Sequence, residues 1–168
     1  MKNIILIGMP GAGKSTVGVI LAKTLGMTFI DTDIAIQERT GRLLQEIIDT
    51  EGPDAFLLAE EETTLSLSYS NCVIATGGSV VFSTKAMDKL KKEGVVVYLE
   101  ISCDEMVRRL KNITTRGIVL FAGQGLVGMY RQRVPMYEKY ADVTVDCEGE
   151  NFEEVMGKVM GEIQIPTP

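Results

Sequence analysis

The stretch Gly8-Met-Pro-Gly-Ala-Gly-Lys-Ser15 fits the pattern G-x-x-x-x-G-K-[ST], and the rest of the chain is best interpreted from it. Glycines let the backbone turn tightly and point several N–H groups inward, which forms a nest for phosphate oxygens. At this spacing Lys14 can reach the β- and γ-phosphates of a nucleotide, and the hydroxyl of Ser15 can coordinate Mg²⁺. The stretch therefore predicts a chain that binds ATP or GTP.

The flanking sequence supplies the strand and the helix that such a loop requires. Residues 2–8 form a β-branched apolar run, which is typical of a buried parallel strand. Residues 16–25 carry apolar side chains at helical spacing, and Gly26 is a helix stop. The start of this helix adds partial positive charge beneath the phosphates. A glycine turn without a ligand is the alternative, but it leaves Lys14 at a helix start without an anion.

The composition is that of an ordinary globular protein. The chain has 168 residues, 45% of them hydrophobic and 24% charged, so we expect one domain over residues 1–168. The net charge of −6 argues against a nucleic-acid partner, and no apolar run reaches membrane-spanning length. The chain also has no secretory leader before the first strand, so a cytoplasmic monomer acting on a small molecule is expected.

Cysteine and histidine content limits the chemistry that is available. The three cysteines, Cys72, Cys103 and Cys147, are far apart and odd in number. They fit reduced thiols better than disulfides or a zinc site. Because the chain contains no histidine, carboxylates, lysines and arginines must carry any catalysis.

Strand and helix patterns alternate along the whole chain, which predicts an α/β fold with a parallel sheet flanked by helices. After the first strand, the predicted strands are 28–31, 71–75, 94–100 and 142–146. After the first helix, the predicted helices are 33–40, 43–49, 53–68, 84–92, 104–111, 125–140 and 152–162. Ligands of such sheets bind at the carboxyl ends of the strands, so the residues that follow each strand are the candidate site.

Asp31 and Asp33 follow the second strand, beside the expected phosphate site. One carboxylate can hold the Mg²⁺ shell, and the other can orient or deprotonate an acceptor hydroxyl. An N-cap is the alternative for either residue, because aspartate is favoured before a helix. Gly77 and Gly78 follow the third strand and permit close approach of a small molecule, although a plain turn is equally compatible.

Arginines supply the remaining candidates. Residues 112–124 form a loop-like stretch with a single charge, Arg116, and predict a lid that brings this arginine to the transferring phosphates. A solvated loop arginine is the alternative. Arg131 and Arg133 are two residues apart on a predicted helix, so only one can point into the cleft, and we assign Arg131 to solvent. Among the acidic residues 60–62, which favour a solvated helix face, Glu60 is the candidate exception.

Taken together, these residues resemble the shikimate kinase family over most of the chain. The matching residues are 8–16, 29–33, 40–41, 75–78, 97–99 and 133–137, with Phe56, Glu60 and Arg116. The resemblance implies a three-layer fold of the nucleoside monophosphate kinase group, with a five-stranded parallel sheet and a mobile lid. It also implies transfer of the γ-phosphoryl group of ATP to the 3-hydroxyl of shikimate, with Mg²⁺.

The resemblance also implies a role for each candidate. The nucleotide-binding positions are Gly11, Ala12, Gly13, Lys14, Ser15, Thr16, Arg109 and Arg116, with Arg109 against the adenine. Ser15 and Asp31 hold Mg²⁺. Lys14, Asp33 and Arg116 are the catalytic positions, and Asp33 is the base. The acceptor is bound by Asp33, Gly77, Gly78 and Arg133, of which Arg133 takes its carboxylate, and the acceptor-binding helices lie within residues 33–68.

Three departures from the family pattern fall on the acceptor side or in the lid. Leu57 stands where the family has an arginine that clamps the shikimate carboxylate, Ser79 replaces a third glycine, and Gly117 follows the lid arginine in place of proline. Losing one charge-assisted hydrogen bond costs about 1.5–3 kcal/mol. Either Arg133 holds the carboxylate alone, with or without Arg131, or the acceptor is another hydroxylated metabolite, such as a sugar acid or a hydroxy amino acid. A non-catalytic nucleotide-binding module is a third alternative, although Lys14 and Asp33 are both retained.

Overall fold

The protein is described here from a computed structural model that covers residues 2–111 and 117–163. These residues form a five-stranded parallel sheet and eight α-helices, which confirms the predicted α/β fold. The strands are β1 (Asn3–Ile7), β2 (Thr28–Asp31), β3 (Cys72–Ala75), β4 (Gly94–Glu100) and β5 (Val143–Asp146). The helices are α1 (Lys14–Leu25), α2 (Thr32–Thr40), α3 (Leu44–Glu51), α4 (Pro53–Ser66), α5 (Thr84–Glu93), α6 (Cys103–Leu110), α7 (Leu126–Tyr140) and α8 (Phe152–Glu162).

The strand order across the sheet is β2-β3-β1-β4-β5, so β1 lies in the centre. All five residues of β1 are buried, as the uninterrupted apolar run predicts for a strand covered on both faces. Helix α1 packs against β1, β2, β3 and α8, while α5 and α7 pack against β4. The central position of β1 brings the loop that follows it to the middle of the sheet's carboxyl edge.

The sequence-based bounds of the helices differ from the observed ones by at most two residues, and those of α8 are the same. The largest differences are at α1, which begins at Lys14 rather than residue 16, at α3, which extends to Glu51, and at α4, which ends at Ser66. A short 3₁₀ turn, Val80–Phe82, was not predicted. None of the described helices is long and apolar enough to cross a membrane.

Two hydrophobic clusters hold the described residues together. The main core lies on both faces of the sheet and includes Tyr98 of β4, whose ring stacks on Tyr137 of α7 at 5.1 Å. A second cluster lies among helices α2, α3 and α4 and the residues after 117, and consists of Ile36, Leu44, Ile47, Phe56 and Val119. Helices α2, α3 and α4 are therefore packed with their own apolar contacts, apart from the main core.

Candidate active site

Several positions of the loop between β1 and α1 favour glycine. Gly11 and Gly13 have φ values of 82° and 92°, which side chains other than glycine rarely adopt. A Cβ on Gly13 would also lie 2.8 Å from the ring of Phe152. Gly13 is the N-cap of α1 and has no side chain to cap the helix. The first N–H groups of α1 can therefore be satisfied by the oxygens of an anion.

Lys14 is buried at the base of this loop. Its Nζ donates hydrogen bonds to the carbonyl oxygens of Gly8 at 2.8 Å and Met9 at 2.9 Å. Burial lowers the pKa of Lys14 to about 8, against the opposing effect of the carboxylates of Asp33 and Asp31. A buried ammonium group held only by carbonyl oxygens can exchange them for phosphate oxygens, which carry full charge and make stronger hydrogen bonds.

Ser15 and Asp31 bring two oxygen donors together. The hydroxyl of Ser15 donates to Oδ2 of Asp31 at 2.6 Å, and Oδ1 of Asp31 accepts from the backbone N–H of Asp33 at 2.9 Å. Asp31 is thus the N-cap of α2, which is the alternative that the sequence allowed, and it also lies beside the loop after β1, where its predicted role in a Mg²⁺ shell requires it to be. A hydroxyl and a carboxylate suit Mg²⁺, which takes the rest of its ligands from water and phosphate.

Asp33 lies where α2 faces the loop after β3. Its Oδ1 lies 2.9 Å from the position that a Cβ on Gly77 would occupy, and that Cβ would collide with Oε1 of Glu60. The backbone N–H of Gly77 donates to the buried hydroxyl of Thr32 at 3.0 Å, which fixes the loop against α2. A side chain at position 77 would therefore displace the carboxylates of both Asp33 and Glu60.

Glu60 is the exception that the sequence allowed among the acidic residues of α4. It is only 2% exposed, and Oε2 accepts a hydrogen bond from the hydroxyl of Ser79 at 2.6 Å. Its other oxygen, Oε1, has no hydrogen-bond partner among the described residues. Burial raises the pKa of Glu60 to about 7, so the carboxyl group is partly protonated at neutral pH. The adjacent Glu61 instead accepts from Ser83 and faces Lys85.

Arg133 is 1% exposed, whereas Arg131 is exposed, as the spacing of the two arginines predicts. Nη2 of Arg133 donates to the carbonyl of Val119 at 2.6 Å, and the guanidinium lies 5.3 Å from the centre of the Phe82 ring. Its Nε has no partner among the described residues. The guanidinium is held on two sides by protein and keeps donor capacity for a ligand.

Gly78 is held close to Arg133. A Cβ on Gly78 would lie 3.1 Å from Nη1 of Arg133 and 2.9 Å from the ring of Pro10. The hydroxyl of Tyr137 donates to the carbonyl of Gly78 at 2.6 Å, which anchors this glycine to α7. Sequence reasoning did not assign Tyr137 to the site, because a tyrosine in an amphipathic helix has the same pattern as a tyrosine of the hydrophobic core.

Arg109 and Phe152 lie on the outer side of the phosphate loop. Nη1 of Arg109 donates to the carbonyl of Gly11 at 2.9 Å, and Nε donates to Glu105 at 2.6 Å. Phe152 is 42% exposed and lines the cleft beside Gly13. Arg109 therefore steadies the loop, and its guanidinium plane borders the same cleft.

The predicted lid can be followed only in part. Arg116 and the other residues of 112–116 lie outside the described residues. The segment that follows is packed against the acceptor-side helices: a Cβ on Gly117 would lie 2.5 Å from Cβ of Leu44, and Val119 is 1% exposed. Leu57 packs against the same apolar cluster. An apolar side chain at position 57 therefore packs against other apolar side chains.

One cleft of about 1230 Å³ joins these groups. Of the predicted and described site residues, those that line it are Gly11, Gly13, Lys14, Ser15, Thr16, Asp31, Asp33, Gly77, Gly78, Arg109 and Arg133. Ala12 does not line it, because its side chain packs into the main core. Ser79 also lines the cleft, while Glu60 lies behind it. In the described part of the chain, no group of three or more acidic or cysteine side chains could hold a metal alone.

Comparison with known proteins gives a consistent result. A family model described as shikimate kinase matches residues 10–164. A shikimate kinase from Thermodesulfovibrio yellowstonii is 40% identical over 98% of this chain and 96% of its own length. One from Mycobacterium tuberculosis is 38% identical over 98% of this chain and 94% of its own length.

Solved structures agree with these relatives. Shikimate kinase from Acinetobacter baumannii in complex with shikimate matches with a TM-score of 0.90 and 30% identity, over 98% of this chain and 93% of that one. Shikimate kinase from Aquifex aeolicus matches with a TM-score of 0.83 and 29% identity, over 96% of both chains.

Proposed function

This chain belongs to the shikimate kinase family, and we propose that its cleft transfers the γ-phosphoryl group of ATP to the 3-hydroxyl of shikimate. The observation that carries this proposal is that a phosphate loop and a set of acceptor-binding groups line the same cleft. The A. baumannii relative, whose fold matches this one, binds shikimate. The chain works as one kinase domain over residues 1–168, and a monomer suffices because both halves of the cleft come from one chain.

On the donor side, the backbone N–H groups of residues 11–16 and Nζ of Lys14 bind the phosphates of ATP. The ammonium group of Lys14 exchanges its hydrogen bonds to the carbonyl oxygens of Gly8 and Met9 for hydrogen bonds to the β- and γ-phosphates. Its positive charge there offsets the negative charge that develops during transfer. Arg109 borders the adenine and steadies the loop through Gly11. We assign to Arg116, by the resemblance to the family, the role of a lid arginine that offsets charge on the transferring group.

Ser15 and Asp31 are the residues that would hold Mg²⁺, directly or through water. Their oxygens are hard donors 2.6 Å apart at the start of α1, which fits the few protein ligands that Mg²⁺ takes at phosphate sites. When bound, Mg²⁺ would offset the charge of the phosphate oxygens.

On the acceptor side, Asp33 accepts the proton of the attacking hydroxyl. It is held at the start of α2, next to Gly77, so an acceptor hydroxyl can lie against the carboxylate without a side chain between them. Arg133 binds the acceptor carboxylate, because its guanidinium is already oriented by Val119 and Phe82 and keeps donors for a planar anion. Gly78 completes the wall between these two groups.

The experiment that tests this function is ADP release in the presence of ATP, Mg²⁺ and a panel of acceptors. We expect turnover with shikimate, and no more than background with gluconate, homoserine or nucleoside monophosphates. Turnover with gluconate or homoserine but not shikimate would instead favour the second candidate, a kinase for another hydroxylated metabolite. Leu57 is the observation behind this second candidate, because it removes a contact to the acceptor that the family pattern provides and so allows an acceptor of different shape.

A further inference from the structure

Ser79 and Glu60 form a hydrogen-bonded pair in the acceptor wall that the proposed mechanism does not use. Ser79 lines the cleft and is 5% exposed, and its hydroxyl lies 2.6 Å from Oε2 of Glu60. Glu60 is buried behind it, with Oε1 unpartnered among the described residues. A buried carboxyl group with one hydroxyl partner is incompletely satisfied, which is costly in its charged form.

We propose that Ser79 is a specificity-determining residue that contacts the acceptor carboxylate beside Arg133, and that the proton on Glu60 decides whether its hydroxyl donates or accepts. When Glu60 is ionised, the hydrogen of Ser79 points at Glu60, so only oxygen lone pairs face the cleft. When Glu60 is protonated, its own O–H can donate to Ser79, and the Ser79 hydrogen is released towards the cleft. The inference rests on the proposed function, because it concerns the carboxylate of that acceptor.

Ser79 and Arg133 belong to the same part of the site, because both line the cleft and the charge of Arg133 acts on Glu60, the hydrogen-bond partner of Ser79. The residue before Ser79, Gly78, would place a Cβ 3.1 Å from Nη1 of Arg133. A carboxylate held by a guanidinium has lone pairs to spare, and these can accept from a serine hydroxyl. The serine would supply a neutral hydrogen bond in a chain that has Leu57 where the family has its second arginine.

Charged groups near Glu60 come from three elements. Besides burial, which dominates, Asp33 of α2 raises the pKa of Glu60, while the hydrogen bond from Ser79, Arg133 of α7 and Lys14 of α1 lower it. The net result is a carboxyl group that titrates near neutral pH. An anionic acceptor bound beside Ser79 would raise this pKa further, so binding should take up a proton.

Several charged side chains of the other elements that pack on α4 have partners elsewhere. On α5, Lys85 faces Glu61, and Lys89 donates to the carbonyl of Leu67 and to Glu93. On α3, Glu46 and Glu51 pair with Arg42, and Asp49 accepts from Gln45. On α2, Arg39 pairs with Glu62. Glu60 differs from these side chains because it is buried and hydrogen-bonded to Ser79, which lines the cleft.

The test is the pH dependence of acceptor binding in the full-length enzyme. The KM for shikimate should rise about tenfold between pH 6 and pH 8 if binding needs a proton on a group that titrates near 7. Titration calorimetry at pH 7, in buffers that differ in ionisation enthalpy, should show uptake of about half a proton per shikimate bound. In Glu60→Gln the proton uptake and the slope in KM should both disappear, while the KM for ATP stays unchanged.

Two further variants distinguish a role of Ser79 and Glu60 in acceptor binding from a purely structural role. Ser79→Ala should raise the KM for shikimate at pH 6 several-fold and leave it nearly unchanged at pH 8, since only the protonated state offers the hydroxyl hydrogen. Glu61→Gln is the matched control, because it removes a carboxylate from the same helix outside the cleft, and it should keep the wild-type slope. If Glu60→Gln retains the wild-type proton uptake, or Ser79→Ala leaves the KM unchanged at pH 6, the inference is overturned.

The outcomes also separate this inference from the proposed function. A wild-type enzyme that does not phosphorylate shikimate at any pH contradicts the function. A wild-type enzyme that phosphorylates shikimate, with a slope in KM that Glu60→Gln does not change, contradicts only the role of the Ser79–Glu60 pair. Circular dichroism of the Gln and Ala variants shows whether they fold, and both substitutions preserve or reduce side-chain volume.

Discussion

The donor side and the acceptor side of the cleft differ in the number of separate chain segments that form them. In the proposed function, the donor side is largely one continuous segment, residues 8–16, whose backbone groups and Lys14 bind phosphate. The acceptor side brings together Asp33, Glu60, residues 77–79 and Arg133, from four separate parts of the sequence. A local site depends on the glycines of one turn, whereas a dispersed site depends on the packing of every helix that contributes to it.

The departures from the family pattern spare the donor side and fall on the acceptor side or in the lid. The phosphate loop is intact, because most of its groups are backbone N–H groups that any change of conformation would displace. Leu57 and Ser79 lie on the acceptor side, where one side chain can compensate for another. The second apolar cluster includes Phe56 and Val119 and accommodates Leu57, which explains how the wall stays packed without the arginine.

The largest effect is expected from Lys14→Met on the donor side. It removes the charge that offsets the transferring phosphoryl group, so kcat should fall by a factor on the order of a thousand or more. The fold should be retained, because a buried ammonium group is replaced by an apolar chain of similar length. ADP release and thermal unfolding measure the two quantities. Turnover within tenfold of wild type would contradict the assignment of the phosphate loop.

Asp33→Asn is expected to have the next largest effect, and it separates the two sides. The amide keeps the shape of the side chain but cannot take the proton of the acceptor hydroxyl, so kcat should fall on the order of a hundredfold. The KM for ATP should change little. A large loss of ATP affinity with normal shikimate binding would assign Asp33 to the metal shell instead.

Gly77→Ala tests how closely the acceptor wall is built. The new methyl group would collide with Oε1 of Glu60 and lie 2.9 Å from Oδ1 of Asp33, so both carboxylates must shift. We expect kcat/KM for shikimate to fall about ten- to hundredfold, because small displacements of catalytic groups are costly. The KM for ATP should stay within about twofold, since the phosphate loop is not touched.

Gly157→Ala is the matched control for this substitution. Gly157 lies in α8 with no heavy atom within 4 Å of an added Cβ, so alanine should stabilise the helix by about 1 kcal/mol. Its kinetics should equal those of wild type. Steady-state kinetics of both variants check this prediction. If Gly77→Ala has the same kinetics as Gly157→Ala, the acceptor side does not depend on the absence of a side chain at position 77.

Leu57→Arg has the smallest expected effect and the most direct bearing on the acceptor. Position 57 is three residues before Glu60 on α4, so an arginine there can pair with Glu60 and also reach a carboxylate in the cleft. We expect the KM for shikimate to fall about tenfold. The slope of KM between pH 6 and pH 8 should flatten, because a guanidinium lowers the pKa of Glu60.

Kinetics at both pH values check this prediction, with Leu58→Arg as the exposed control on the same helix. An unchanged KM in Leu57→Arg would mean that the acceptor carboxylate does not lie near this part of α4.

The sequence predicted most of the donor side and only part of the acceptor side. Strand, glycine loop and helix follow from local patterns, as do the N-cap of Asp31 and the solvent exposure of Arg131. The hydrogen bonds from Ser79 to Glu60 and from Tyr137 to Gly78 join residues 19 and 59 positions apart. No periodicity or motif within one segment specifies such a contact, because both partners look like ordinary helix or turn residues.

The sequence by itself therefore determined the fold class, the phosphate loop and the identity of the groups available for chemistry, since each depends on residues close together in the chain. Only the tertiary structure decided that Glu60 is buried rather than solvated, that Arg133 is the arginine held by Val119, and that Leu57 belongs to an apolar cluster. The physical reason is burial: a charge changes its pKa and its partners only when helices from distant segments close over it.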